Sequence, residues 1–192
     1  MLDFNLREAS PQGWLDSVLS DFDQFLVDHA SCEKKASGMA MSMISHYPDK
    51  PVLVKAMLNL ALEELAHFRD VMEILLDKGL QAGADSKDEY VNRLLHTMNR
   101  GSEAYLLDRL LIASIIEARG AERFGMIAEA LPAGGLKTFY ENISASEARH
   151  YLLFLQLAEQ HCDVAELESR LEELLDIEAE IMRSLPLRAA LH

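Results

Sequence analysis

Residues 62–68, LEELAHF, and residues 146–152, SEARHYL, each contain a glutamate followed three positions later by a histidine. The two pairs are Glu64/His67 and Glu147/His150. Because residues i and i+3 share one face of an α-helix, each pair can present a carboxylate and an imidazole to the same neighbour. With 19 Glu and 7 His, chance alone produces about 0.7 such motifs. The fold prediction therefore depends on whether the two motifs belong to a larger repeat.

A further glutamate stands one helix upstream of each motif and completes an internal repeat. Glu33 precedes Glu64 by 31 residues, and Glu117 precedes Glu147 by 30. The offset between the two halves is 84 residues for the first glutamates and 83 for the motifs. Both midpoints fall at proline-containing turns, HYPDKP and LPAGGL, so each set lies roughly 23 Å from its turn. Two antiparallel hairpins packed head to tail would bring four carboxylates and two imidazoles together.

The composition and the turn signals predict an all-α protein. Leu, Ala and Glu account for 74 residues, whereas the β-branched residues number only 18. The periodicity predicts six helices, at about 14–46, 51–79, 86–100, 102–131, 135–161 and 163–184. The connection from about 80 to 101 is long and contains a short helix of its own. This pattern predicts one domain over residues 1–192, a ferritin-like four-helix bundle with one long crossover and extra short and C-terminal helices.

The repeated residues predict a dinuclear metal site. Carboxylate and imidazole ligands suit iron or manganese, and this spacing is the signature of di-iron and di-manganese bundles. Four glutamates would balance two divalent ions, and the apolar neighbours of the motifs argue against a solvated surface role. No catalytic residue beyond the ligands is predicted, and the choice between iron and manganese stays open. The predicted ligands are Glu33, Glu64, His67, Glu117, Glu147 and His150.

Charge and the chain termini narrow the class of protein further. The formal net charge is −14, and residues 159–182 contribute −8 of it, so bulk electrostatic binding to nucleic acid is not expected. Cys32 and Cys162 are expected to be reduced thiols. The N-terminal residues do not resemble a signal peptide, and no apolar run is long enough to span a membrane. A cytoplasmic protein is expected.

Four segments together resemble one known family. The segments are DHASCEKKASGMA (28–40), LEELAHF, IIEARGAERF (115–124) and SASEARHYLLF (144–154). Over roughly residues 14–185 the chain is similar to the bacterial tRNA 2-methylthio-N6-isopentenyladenosine hydroxylases. The resemblance implies a non-haem di-iron monooxygenase that uses O2 to hydroxylate the prenyl group of the modified adenosine next to the anticodon. It also implies that the six residues bind iron, with Glu64 and Glu147 favoured as bridges.

The resemblance leaves the partners partly open. Two electrons would come from an external reductase or ferredoxin-like donor, because no flavin motif is present. The substrate-binding residues are unknown, and the acidic segment 159–182 is expected to face away from tRNA. Six basic residues near the predicted ligands could form a local rim for RNA, while some of them could instead form inner ion pairs with spare carboxylates. They are Lys34, Lys35, Arg69, Arg119, Arg123 and Arg149.

Other functions of the same scaffold remain open at this point. Ferritin-like iron storage or detoxification would require a closed cage, and a rubrerythrin-like peroxidase would usually carry a cysteine-rich iron domain. A manganese catalase would show peroxide turnover. A metal-free interaction bundle would leave both sets of repeated residues without a role.

Overall fold

Seven α-helices form the secondary structure of the described chain. The computed structural model describes residues 2–192, apart from the side chains at positions 102 and 103. Within these residues there is no β-strand, which confirms the all-α prediction. The helices are α1 (Gln12–Ser20), α2 (Phe22–His46), α3 (Pro51–Asp77), α4 (Glu89–His96), α5 (Ser102–Ala130), α6 (Gly135–His161) and α7 (Val164–Ser184).

The chain divides into two compact units. The α2–α3 unit consists of Asp16–Ser86 and Arg188–Leu191. The α5–α6 unit consists of the N-terminal segment up to Leu15, Lys87–Leu187 and His192. Each unit contains one of the two predicted antiparallel helical hairpins. The expectation of a single domain over residues 1–192 stays a prediction.

The first predicted helix, 14–46, is wrong as a single helix because it is broken at Asp21. The backbone of Asp21 is not helical (φ −141°), and its carboxylate accepts the backbone N–H of Gln24 at 3.3 Å. Asp21 thereby caps α2, since an aspartate at this position satisfies a donor that the first helical turn leaves open. The prediction missed the break because apolar spacing continues on both sides of it.

The α2–α3 hairpin turns where the sequence predicts. The four residues between the helices include Pro48, and Pro51 is the first residue of α3. Proline is favoured at this position because the first N–H of a helix has no partner within the helix. Two long antiparallel helices therefore present residues equidistant from the turn at similar heights.

The α5–α6 unit adds α4 and α7 to its hairpin, and α7 packs against α4, α5 and α6. The start of α7 is as predicted, because Asp163 accepts the N–H groups of Ala165 and Glu166 at 3.0 and 3.1 Å. The predicted start of α4 at Ser86 is wrong. Asp88 caps that helix instead, with its carboxylate accepting the N–H of Val91 at 3.0 Å.

The internal repeat extends to the contacts between the helices of each hairpin. In the α2–α3 unit, the Ser37 hydroxyl donates to the carbonyl of Ala61 at 2.8 Å. In the α5–α6 unit, the Ser144 hydroxyl donates to the carbonyl of Ala121, also at 2.8 Å. These positions correspond at the same offsets of 84 and 83 residues, although the serine has moved to the other helix. Both hairpins therefore have the same register.

Candidate metal centre

The α2–α3 unit brings three of the predicted ligands together. Glu33 on α2 and Glu64 on α3 are almost fully buried, with 3% and 1% of their surface exposed. The Nδ1 atom of His67 lies 3.4 Å from Oε2 of Glu64 and 3.7 Å from Oε2 of Glu33. One ligand atom from each residue falls within 4.8 Å of the others. We call these residues the α2–α3 trio.

The α5–α6 unit brings the other three together in the same way. Glu117, Glu147 and His150 are all buried. The Nδ1 atom of His150 lies 3.5 Å from Oε2 of Glu147 and 3.9 Å from Oε2 of Glu117. We call these residues the α5–α6 trio. In both trios the histidine directs the same ring nitrogen towards two carboxylates.

The donor set and its spacing fit a divalent metal ion in each trio. Two carboxylates and one imidazole are ligand types that iron and manganese accept. Two atoms bound to one ion at about 2.1 Å lie about 3 to 4 Å apart. The separations of 3.4 to 3.9 Å between Nδ1 and the carboxylate oxygens fall in that range and exceed the length of a good hydrogen bond. The residues present therefore fit the predicted metal centre.

Electrostatics in the α2–α3 trio also favour a bound cation. Burial alone would raise the pKa of Glu33, but hydrogen bonding to His29 and the nearby His67 hold that pKa well below its usual range. Burial alone would lower the pKa of His67. The neighbouring carboxylates of Glu33 and Glu64 have the larger, opposite effect and raise that pKa to about 9. The trio thus stabilises positive charge at its centre, and a metal ion would replace the proton that His67 otherwise carries.

The second nitrogen of His150 faces a polar group outside the trio. Its Nε2 atom lies 3.4 Å from the Ser146 hydroxyl, which accepts a hydrogen bond from Arg149 at 3.1 Å. Histidines that bind metals commonly direct the other ring N–H to such a group, which sets the ring orientation. Arg149 also donates to the carbonyl of Ala145 at 3.0 Å, so its guanidinium is held along α6.

Sequence reasoning left one buried polar residue out of the site. His29 is fully buried, and its Nε2 atom lies 2.6 Å from Oε1 of Glu33. It stands four positions before Glu33, and residues at this spacing share a helix face. That spacing was the available signal, but His29 belongs to the five histidines without a counterpart in the repeat.

Two of the six basic residues near the predicted ligands form the inner contacts that the sequence left open. Arg119 and Arg123 are buried, with 0% and 4% exposed. Arg119 donates to Glu178 at 2.8 and 2.9 Å, and Arg123 stacks over the ring of Trp14 at 4.7 Å. Their charges serve contacts inside the α5–α6 unit and are not available to RNA.

The remaining basic candidates keep some access to solvent. The side chains of Lys34 and Arg69 are 46% and 66% exposed. Lys34 is paired with Asp85 at 2.7 Å, and Arg69 with Asp70 at 2.6 Å. Lys35 donates to the carbonyl of Ser86 at 2.8 Å. These pairings reduce the positive potential that the sequence alone predicts.

Comparison with known proteins identifies the family to which this chain belongs. Residues 2–192 match the family described as tRNA-(MS[2]IO[6]A)-hydroxylase (MiaE). The chain belongs to this family. The membership confirms the resemblance inferred from the sequence, and with it the prediction of a tRNA-modifying oxidoreductase.

Two relatives of this member of the MiaE family carry the name tRNA 2-(methylsulfanyl)-N(6)-isopentenyladenosine(37) hydroxylase. The relative from Pseudomonas putida is 33% identical over 183 residues, which cover 95% of this chain and 89% of the relative. The relative from Salmonella typhimurium is 31% identical over 157 residues, which cover 82% of this chain and 57% of the relative. The match therefore extends over most of the chain in both cases.

A solved structure shows that this member of the MiaE family has the predicted ferritin-like fold. It is described as protein 43 with aldehyde deformylating oxygenase activity, from Synechococcus. It is 32% identical, with a TM-score of 0.92, and the alignment covers 97% of this chain and 94% of that one. The predicted fold class is confirmed.

Two further observations concern the helices and the cysteines. Among residues 2–192, none of the helices combines the length and the apolar character that crossing a bilayer requires. Cys32 and Cys162 are not part of a disulfide, which agrees with the prediction of reduced thiols.

Proposed function

We propose that this chain hydroxylates the isopentenyl group of 2-methylthio-N6-isopentenyladenosine next to the anticodon of tRNA, using two iron ions held by the two trios. Membership of the MiaE family supports the substrate and the reaction class. The buried Glu and His residues support the metal centre. The observation that carries the proposal is the repetition of one ligand set, at one register, in both hairpins of a chain of this family.

The reaction inserts one oxygen atom into a terminal C–H bond. The prenyl methyl group, O2, two electrons and two protons give a hydroxymethyl group and one water molecule. Bound iron supplies the redox chemistry, which amino-acid side chains cannot perform. The electrons come from an external reductase or ferredoxin-like donor, and a cytoplasmic location suits an enzyme that modifies tRNA.

The side chains of the trios hold the ions and set their charge. Glu33, Glu64 and His67 would hold one ion, and Glu117, Glu147 and His150 would hold the other. Four carboxylates neutralise two divalent ions, which offsets the cost of burying the glutamates. The imidazoles would hold the ions through Nδ1, the nitrogen that faces the carboxylates in each trio.

The experiment is a reconstitution with a direct product assay. The purified protein is loaded with ferrous iron and given a reductant, O2 and tRNA that carries the prenylated adenosine. Nucleoside mass spectrometry should show the gain of one oxygen on that adenosine. Parallel reactions without O2, and with manganese in place of iron, should give no product.

The controls separate the parts of the proposal. Product with manganese alone would contradict the assignment of iron. The absence of product with about two irons bound per chain would keep the metal centre and reject the substrate. Oxidation of the free modified nucleoside at the same rate as the tRNA would contradict tRNA as the substrate.

A further inference from the structure

His29 makes the two trios different from each other. It is fully buried on α2, one helical turn before Glu33, and lies beside the ring of Phe25 at 5.8 Å between centroids. Its Nε2 atom is 2.6 Å from Oε1 of Glu33. A carboxylate can only accept hydrogen bonds, so Nε2 carries the proton and donates it. Such charge-assisted bonds are short and strong.

The two oxygens of Glu33 therefore have different partners. Oε1 accepts the hydrogen bond from His29, while Oε2 lies 3.7 Å from Nδ1 of His67, on the side of the predicted ion. A carboxylate anchored through one oxygen presents the other in a defined direction. Because His29 is itself enclosed by the core, it cannot release Oε1 by turning into solvent.

The internal repeat does not reproduce this arrangement. The position four residues before Glu117 is occupied by Ala113, whose methyl side chain has no hydrogen-bonding group. The six predicted ligands match across the repeat, whereas the pair His29 and Ala113 does not. The two trios therefore contain the same ligand types. They differ in whether a histidine one turn earlier donates a hydrogen bond to the first glutamate.

We propose that His29 is a positioning residue that restricts Glu33 to binding its ion through Oε2 alone, so that the two ions have unequal environments. The proposal rests on the metal centre of the proposed function. Hydrogen-bonded supports of metal ligands commonly change metal affinity by about 10- to 100-fold when they are removed. If His29 merely filled space, its loss would have the same effect whether or not the replacement kept a hydrogen-bond donor.

The test uses Co²⁺ as the probe and does not depend on hydroxylation. The metal-free full chain is titrated with Co²⁺ under anaerobic conditions, and its visible ligand-field spectrum and binding isotherm are recorded. His29→Leu should weaken one of the two binding events by about 10- to 100-fold and change the spectrum of that ion. His29→Gln retains a side-chain N–H donor and should restore most of the affinity and the wild-type spectrum.

A matched control is available on the same helix. His46 is exposed, and its Nδ1 atom lies 2.7 Å from the carbonyl of Ser42 on its own helix. His46→Leu should leave both binding events unchanged. Circular dichroism and urea unfolding of each metal-free variant show whether the helices are retained.

The outcomes distinguish the two levels of the proposal. If the wild-type protein binds two Co²⁺ ions and His29→Leu binds them with the same affinities and spectrum, the role of His29 is overturned and the metal centre stands. Equal losses in His29→Leu and His29→Gln would show that the ring shape matters and the hydrogen bond does not, which also overturns it. If the wild-type protein binds no Co²⁺, the proposed metal centre fails together with the role of His29.

Discussion

At the scale of single residues, the proposed metal binding depends on glutamates that are buried in the interior. Glu64 and Glu147 expose only 1% and 4% of their surface, although an ionised carboxylate in the interior costs several kcal/mol unless it is paired. A nearby histidine offsets part of this cost in each trio. Divalent ions would offset the rest, so the buried glutamates are explained by metal binding better than by stability.

Glu117→Ala tests this explanation directly. The substitution removes one carboxylate from the α5–α6 trio, so we expect bound iron to fall from about two to about one per chain and hydroxylation to be lost. Iron content and product are measured on the same samples. Glu129→Ala, at an exposed glutamate of the same helix, should change neither. Two irons and full activity in Glu117→Ala would reject this residue as a ligand.

At the scale of helices, a buried ion pair connects α5 to α7. Arg119 on α5 donates through Nε and Nη2 to Oε1 of Glu178 on α7, and the Tyr90 hydroxyl on α4 donates to the same oxygen at 3.0 Å. Arg119 also pairs with Glu122 and donates to the carbonyl of Glu8 at 2.9 Å. Arg119, two residues after the predicted ligand Glu117, thus connects α5 to α7 and to the N-terminal segment. Tyr90 connects α4 to the same carboxylate.

Arg119→Leu should lower the free energy of unfolding by about 3–5 kcal/mol, because it leaves Glu178 charged and uncompensated in the interior. The double variant Arg119→Leu/Glu178→Leu should recover much of this loss, since neither charge then remains buried. Urea unfolding of the metal-free proteins measures both. Arg183→Ala breaks the exposed pair with Glu8 and should cost no more than about 1 kcal/mol. The single variant Glu178→Leu is measured as well. If the double variant lost as much free energy of unfolding as the two single variants together, the pairing would be contradicted.

At the scale of the whole molecule, an acidic protein must bind an acidic substrate. The net charge of −14 opposes tRNA, so binding requires local basic residues whose contribution depends on salt. The side chain of Arg69 is 66% exposed, against 46% for that of Lys34, although Arg69 is paired with Asp70. The burial of Arg119 and Arg123 reduces the number of such candidates.

Arg69→Ala should weaken tRNA binding and reduce the slope of log K against log salt by about 1, without changing iron content. Fluorescence anisotropy of labelled tRNA at several salt concentrations measures this slope. Arg183→Ala makes the same change of charge at a 58% exposed side chain next to the acidic segment 159–182 and should have little effect. Equal effects of the two substitutions would indicate a response to net charge and would reject Arg69 as an RNA contact.

The helical repeat could be predicted because its signals are local. The spacing of Glu33, Glu64 and His67 reflects helix geometry, and the prolines mark the turn between them, so the α2–α3 trio meets as expected. The role of the six residues as iron ligands stays a prediction. The break at Asp21 was missed because a cap depends on one backbone angle, which apolar periodicity does not encode.

The sequence by itself determined the all-α class, the two hairpins and the residues that share a height within each of them, because helix period and turn composition depend on neighbouring residues. Only the tertiary structure decided which basic residues are buried. The sequence left open whether Arg119 and Arg123 face RNA or form inner ion pairs, and packing of the N-terminal segment and α7 against α5 encloses them. His29 likewise differs from the exposed His46 only through the core that surrounds it, because burial depends on contacts between segments that are distant in sequence.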